Sequence, residues 1–169
     1  MKKGKNAVIE DYVIIKRPEH FEIGDHSRVS AFCRLSTKIK IGNYCDIATG
    51  TSIAGGSKQF ILGDFSSIAA GCKIWLESDD YVNGLVAHVP EFTGLQGDVE
   101  FSKYTGLGSN SVVMPNNHIP EGTVIGAMSF VPYNFKFEPW TVYAGTPIKK
   151  IKSRNKENVL ELIEKMNLL

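Results

Sequence analysis

An isoleucine, valine or leucine stands at every sixth position through Ile23, Val29, Leu35, Ile41, Ile47 and Ile53. The series slips by three residues and resumes at Leu62, Ile68 and Ile74. After a longer break it returns at Phe101, Leu107, Val113, Ile119, Ile125 and Val131. Four residues after each of these, the side chain is usually small: Ser27, Cys33, Cys45, Thr51, Ser57, Ser66, Cys72, Thr105, Ser111, Thr123 and Ser129, with Ile39 and Asn117 as exceptions. Six is a multiple of two, so both registers point to the same side of a strand. A helix would scatter a six-residue period around its surface. Glycine follows the aliphatic at Gly24, Gly42, Gly63, Gly108 and Gly126, with a step of 18 from Gly24 to Gly42 and again from Gly108 to Gly126. Three hexads therefore make one coil, and one corner per coil favours glycine, as expected for a tight or positive-φ turn. The pattern predicts an all-β solenoid with three sides per turn and neighbouring turns about 4.8 Å apart. No turn can bury its inner face alone, so stability is collective.

The breaks define the organisation. Residues 1–22 fit the hexads poorly, and Ile9 and Ile15 read as the start of an incomplete coil. Residues 75–100 interrupt the repeat with six acids (Glu77, Asp79, Asp80, Glu91, Asp98, Glu100) and no Lys or Arg. Long excursions of this kind often carry function, and Trp75, Tyr81 and Phe92 predict partial order. After Val131 comes an aromatic-rich stretch and then Ala144-Gly145-Thr146-Pro147. The period changes again at Val159, Leu162, Ile163 and Met166, which predicts an amphipathic helix starting near Asn155. The expected division is a β-helix domain over 1–153, with its excursion at 75–100, and a helix over 154–169. That helix is expected to cover one end or side of the solenoid, because an open terminal coil invites edge pairing.

Composition narrows the function. With 169 residues, 43% hydrophobic, the chain can bury a core of its own. Lys+Arg of 19 against Asp+Glu of 18 lacks the basic excess of a general nucleic-acid binder. No apolar run approaches the roughly 18 residues of a membrane span. The basic start Met1-Lys2-Lys3 leads into no apolar leader stretch, so a cytoplasmic location is the expectation. Three cysteines (Cys33, Cys45, Cys72), all in the small register, read as buried free thiols.

Runs such as Ile41-Gly42-Asn43-Tyr44-Cys45-Asp46 and Ile125-Gly126-Ala127-Met128-Ser129-Phe130, together with Ala144-Gly145-Thr146-Pro147, resemble the hexapeptide-repeat acyltransferases. The likeness covers roughly residues 7–153 and is nearest the galactoside, maltose and xenobiotic O-acetyltransferase branch. The resemblance implies a left-handed parallel β-helix, acetyl-CoA as co-substrate, no metal, and a homotrimer with sites shared between subunits. It also implies a sugar-like acceptor bearing a hydroxyl or amine.

His88 is the candidate general base. It lies in the excursion as His88-Val89-Pro90, approximating the family's catalytic histidine followed closely by proline. The thioester is already activated, so the enzyme must hold both substrates and deprotonate the acceptor, and a histidine near its ordinary pKa of about 6.5 suits that task. Asp46, Thr49 and Thr51 are alternatives for the residue that orients it. For coenzyme A, the resemblance points to Ser109 and Ala127 along the pantetheine, Thr146 in the adjoining turn, and Lys149 and Lys152 near the phosphates. Extended pantetheine needs small side chains and free backbone groups, and phosphates need cations. If the acids around His88 face the acceptor, neutral or amine-bearing acceptors are favoured over anionic ones.

His20, His26 and His118 read as residues without a catalytic role. A zinc-dependent carbonic anhydrase class shares the implied fold, but its H-x4-H spacing does not occur here. The competing functional reading is a non-catalytic scaffold or binding solenoid. The irregular, charged outward positions Lys38, Lys40, Lys58 and Lys73 disfavour a repetitive binding face.

Overall fold

A computed structural model describes residues 1–86 and 94–166. The chain winds as a parallel β-solenoid of about seven turns with three faces. The first face carries Phe21–Ile23, Lys38–Ile41, Gln59–Leu62, Val99–Phe101 and Asn117–Ile119. The second carries Arg28–Val29, Asp46–Ile47, Ser67–Ile68, Gly106–Leu107, Val124–Ile125 and Thr141–Ala144. The third carries Arg34–Leu35, Ser52–Ala54, Lys73–Trp75, Val112–Val113 and Phe130–Val131. The hexad residues stack in register, as in Val29–Ile47–Ile68–Leu107–Ile125–Tyr143, and all are buried. Each fully buried aliphatic contributes about 1.5–3 kcal/mol relative to exposure.

The repeat extends further than its aliphatic signature. Lys3, Ile9 and Ile15 pair with Ile23, Val29 and Leu35, so residues 1–22 hold a complete first turn rather than an incomplete one. Lysine at an aliphatic position, and a 3-10 turn at Pro18–His20, hide this turn in the sequence. At the other end the register continues through Phe137 and Tyr143. These two and Phe135 meet edge to face, closing the core with aromatic rings. The edge of the second face is covered by an antiparallel strand, Lys149–Ser153, a role the sequence assigned to the helix. The helix itself spans Lys156–Lys165, with the Asn155 side chain accepting from the Asn158 amide at 3.0 Å.

The small register belongs to two corners only. On the first face its place is taken by Phe21, Ile39, Phe60, Val99 and Asn117, all buried. Ser57 falls in the three-residue slip and is exposed. At the other corners the small side chains donate to carbonyls of the next turn: Ser27 to Gly42 at 2.7 Å, Cys33 to Ala48 at 3.2 Å, Thr51 to Ala69 at 3.0 Å and Ser111 to Gly126 at 3.1 Å. Asn117 is equally satisfied, donating to Met114 and Pro132 carbonyls and accepting from the Phe135 amide. Each such bond avoids a desolvation cost of about 1–3 kcal/mol.

The corner glycines lie at two corners and not at the expected one, Gly24, Gly42 and Gly63 after the first face and Gly108 and Gly126 after the second, and they are required by close approach and not, as expected, by positive φ. A Cβ on Gly108 would stand 2.3 Å from the Ala127 nitrogen of the next turn. Positive φ falls instead on residues such as Tyr44, Phe65 and Asn110, three positions after a hexad residue.

All three cysteines are buried free thiols. Burial raises each thiol pKa, and Cys45 is pushed up to about 11. The folded state therefore favours the protonated thiol. That contribution is full below the ordinary value of 9.0 and is lost as pH climbs towards about 11. A disulfide-exchange reagent at pH 8 should find no fast thiol in the native protein and three per chain after denaturation. Rapid native labelling would contradict this packing.

Every irregular insertion falls at one corner, between the third and first faces: the turn at 16–20, the slip at 54–58 and the excursion that leaves after Trp75 and returns before Val99. The other two corners run uninterrupted through the stack, and one of them carries the candidate site.

Candidate active site

From the second turn on, the corner between the second and third faces presents one small residue per turn two positions after the hexad residue: Ala31, Thr49, Ala70, Ser109, Ala127 and Gly145. The column is continuous, because the next residue of each turn donates its amide to the column carbonyl above: Gly50 to Ala31 at 3.2 Å, Gly71 to Thr49 at 3.0 Å, Asn110 to Ala70 at 2.9 Å and Met128 to Ser109 at 2.9 Å. Three residues predicted from sequence, Thr49, Ser109 and Ala127, thus lie on one line. Ala31 and Ala70 belong to it too. The column is legible in the sequence only once the turns are aligned across the long excursion. Thr49 donates to the Ala31 carbonyl at 2.7 Å, bracing the line from the side.

Below Ala127 the column meets the Ala144-Gly145-Thr146-Pro147 turn. Gly145 accepts from the Phe130 amide at 3.0 Å, and Thr146 donates to the Met128 carbonyl at 3.1 Å. The antiparallel strand then places Lys149 opposite Ala144 and Lys152 opposite Val142. These two lysines are three residues apart and would point to opposite sides of a regular strand. An irregularity in register between Val142 and Tyr143 brings both to the outer side of the second face. The remaining cations of the tail are used locally. Lys150 pairs with Glu138 at 2.6 Å. Arg154 donates to the Tyr104 and Gly122 carbonyls and lies over the Trp140 ring, and Lys156 also faces that ring.

Asp46 stands on the second face, two positions before Ala48, and is held by Arg28 at 2.8 Å with its side chain about one third exposed. The hydrogen bond to Asp46, with its charge, raises the Arg28 pKa. Thr51 is fully buried and donates inward to Ala69, so of the three orienting candidates only Asp46 and Thr49 reach the surface. His88 lies outside the described residues. The foot of its excursion is described: Glu77–Ser78 pairs antiparallel with Leu95–Gln96, at the corner a full face away from the small-residue column. Two of the acids are committed to backbone. Asp80 accepts the Val82 and Asn83 amides, with the Asn83 bond the larger cause holding its carboxyl below the ordinary range, and Asp98 accepts from Gln59 at 2.8 Å.

A concavity of about 410 Å³ opens on the first face beside Asp98, Glu100, Asn117 and His118, where His118 shares a hydrogen bond with Ser102 at 2.9 Å. It lies across the prism from the column. No group of three His, Cys, Asp or Glu side chains able to hold a metal occurs among the described residues, and no described helix is long and apolar enough to cross a membrane.

No family model matches the chain. It is 32% identical over 166 residues to the dTDP-4-amino-4,6-dideoxy-D-glucose acyltransferase of Escherichia coli, covering 94% of this chain and 84% of that protein. A variant of AntD, an N-acyltransferase from Bacillus cereus, in complex with dTDP-4-amino-4,6-dideoxyglucose and coenzyme A, superposes with a TM-score of 0.89. It is 31% identical, over 99% of this chain and 91% of that one. AntD in complex with dTDP and 3-hydroxybutyryl-CoA gives a TM-score of 0.87 and 32% identity, over 97% and 90% of the two chains. The chain belongs to the hexapeptide-repeat acyltransferases, enzymes built on a left-handed parallel β-helix.

Proposed function

We propose that this enzyme transfers an acyl group from coenzyme A to an amine or hydroxyl of a sugar, and that the acceptor is a nucleotide-linked amino sugar of the dTDP type. The observation that carries the reading is the hydrogen-bonded column of small residues from Thr49 through Ala70 and Ser109 to Ala127, which meets the Gly145-Thr146 turn and ends beside Lys149 and Lys152 on one face. An extended pantetheine fits such a line, with exposed backbone along it and cations at the phosphate end. Ser109 and Ala127 flank the pantetheine, Thr146 closes its lower end, and Lys149 and Lys152 meet the phosphates. The acceptor class follows from the E. coli relative and from the amino sugar and dTDP bound to AntD. Acetyl is the simplest acyl group. The 3-hydroxybutyryl-CoA bound to AntD makes longer acyl groups the second choice to test.

His88 is the general base, oriented by Asp46 or Thr49 of a neighbouring subunit. The excursion's foot and the column occupy different corners of one chain, an arrangement suited to a site completed between subunits of a cytoplasmic homotrimer. Light scattering should give three times 18.7 kDa. A monomer with full turnover would remove the shared site. The reading as a whole is tested by thermal shift with coenzyme A, which should raise Tm, followed by thiol release from acetyl-CoA in the presence of dTDP-4-amino-4,6-dideoxyglucose. No shift and no thiol release would leave the scaffold reading in its place.

A further inference from the structure

The positive-φ residues form a ridge beside the small-residue column: Tyr12, Phe32, Gly50, Gly71, Asn110 and Met128, one per turn. Tyr12 and Phe32 stack with centroids 5.4 Å apart and planes within 4°, yet they are 75% and 67% exposed. The next two turns supply only glycine. The stack therefore ends abruptly at Phe32, above an opening one rung high at Gly50; at Gly71 the Asn110 side chain already stands where a Cβ would lie, its Oδ1 2.2 Å from that position.

A second aromatic ladder in the same molecule indicates what such an opening accepts. At the corner between the first and second faces, His26, Tyr44, Phe65 and Tyr104 stack continuously. The following rung is Gly122, at φ +72°, and the Trp140 ring leans into the vacated space: a Cβ on Gly122 would lie 2.3 Å from Trp140 Cδ2. Gly50 has nearly the same backbone, φ +70°, but a Cβ there would meet nothing within 4 Å. One glycine rung is filled by a planar ring and the other is open beneath one.

The surroundings select the kind of ring. Arg34 lies on the third face two residues from Phe32, exposed, with no carboxylate within ion-pair distance among the described residues. Lys73, on the same face, reaches the Gly50 and Gly71 carbonyls at 3.3 Å each. A planar group carried next to a diphosphate matches an aromatic floor flanked by cations. The opposite end of the column already has its own cations for coenzyme A, Lys149 and Lys152.

We infer that the opening under Phe32 receives the pyrimidine ring of the nucleotide-linked acceptor, stacked on Phe32, with Arg34 and Lys73 beside its diphosphate. This rests on the acyl-transfer reading above and adds the recognition site for its acceptor.

Calorimetric titration of dTDP and, separately, of coenzyme A into the intact protein tests it. Phe32→Ala should weaken dTDP roughly tenfold or more, the scale of base–aromatic stacking, and leave coenzyme A within about twofold. Gly50→Asn should weaken dTDP similarly by filling the opening. It should not disturb the turn, because Asn110 and Asn116 already hold positive φ at equivalent corners. Phe32→Trp should retain dTDP. If dTDP binds wild type, Phe32→Ala and Gly50→Asn equally, the base lies elsewhere and the inference fails while the acceptor class stands. If Phe32→Ala weakens coenzyme A instead, the stack serves the donor and the inference fails. If wild type binds coenzyme A but no dTDP, the nucleotide-linked acceptor falls and the inference with it.

Discussion

Replacing His88 with alanine is expected to lower acyl transfer by roughly 10²–10⁴, the usual share of general-base catalysis. Coenzyme A affinity and subunit assembly should stay as in wild type, because the small-residue column and the β-helix lie outside the excursion. The thioester needs no activation, so the loss should fall on kcat and not on the KM for acyl-CoA. The wild-type pH–rate profile should carry one ascending limb that the variant lacks, since a base must be unprotonated to act. Normal turnover in His88→Ala, measured by thiol release, would place the proton acceptor elsewhere, with the departing thiolate as the next group to test.

The second large effect concerns the donor. Ala127 is exposed, and its neighbours are backbone: the Ser109 carbonyl accepts from Met128, and the Ala127 nitrogen lies against Gly108. A tryptophan at 127 would project outward from the column without entering the core, so Tm should hardly change. It would occupy the line proposed for the pantetheine. Coenzyme A affinity should then fall by roughly 10² or more, about 3 kcal/mol, with a matching loss of the ligand-induced rise in Tm. Unchanged affinity would mean that the donor does not run along this corner and would overturn the assignment of Ser109 and Thr146 as well. The contrast with His88→Ala is diagnostic, since one variant loses chemistry with binding intact and the other loses binding first.

Much of this architecture is local and repetitive, which is why it can be read from the chain. A six-residue period forces Ile47, Ile68, Leu107 and Ile125 to one side of a strand and sets three sides per turn. The buried state of the three cysteines and the start of the final helix at Asn155 follow from equally local patterns. Where the pattern depends on chemical type alone it misleads. Lys3 holds an aliphatic position because the first turn has an open upper face. Phe137 and Tyr143 hold the last ones because the lower end needs larger rings to close it. Ser57 matches the small register by spacing but lies in the slip, outside the core.

What the sequence could not supply is everything that depends on how turns align across insertions of different length. Ala70 and Ser109 are neighbours in the column although 39 residues separate them, because the whole excursion leaves and returns at one corner. The corner glycines are demanded by the backbone of the adjoining turn, a contact that no φ preference within one turn reveals. Lys149 and Lys152 share a face only through an irregular register against Thr141–Ala144. The sequence by itself determined the solenoid, its three-sided cross-section, its core and its family likeness, since those follow from a period shorter than one turn. The tertiary structure alone decided which residues of different turns stand on one line, which aromatic stack ends over an opening, and which cations remain for a ligand. Stacking couples residues a whole turn or more apart, and hydrogen bonds between turns fix their register, whatever the length of chain between them.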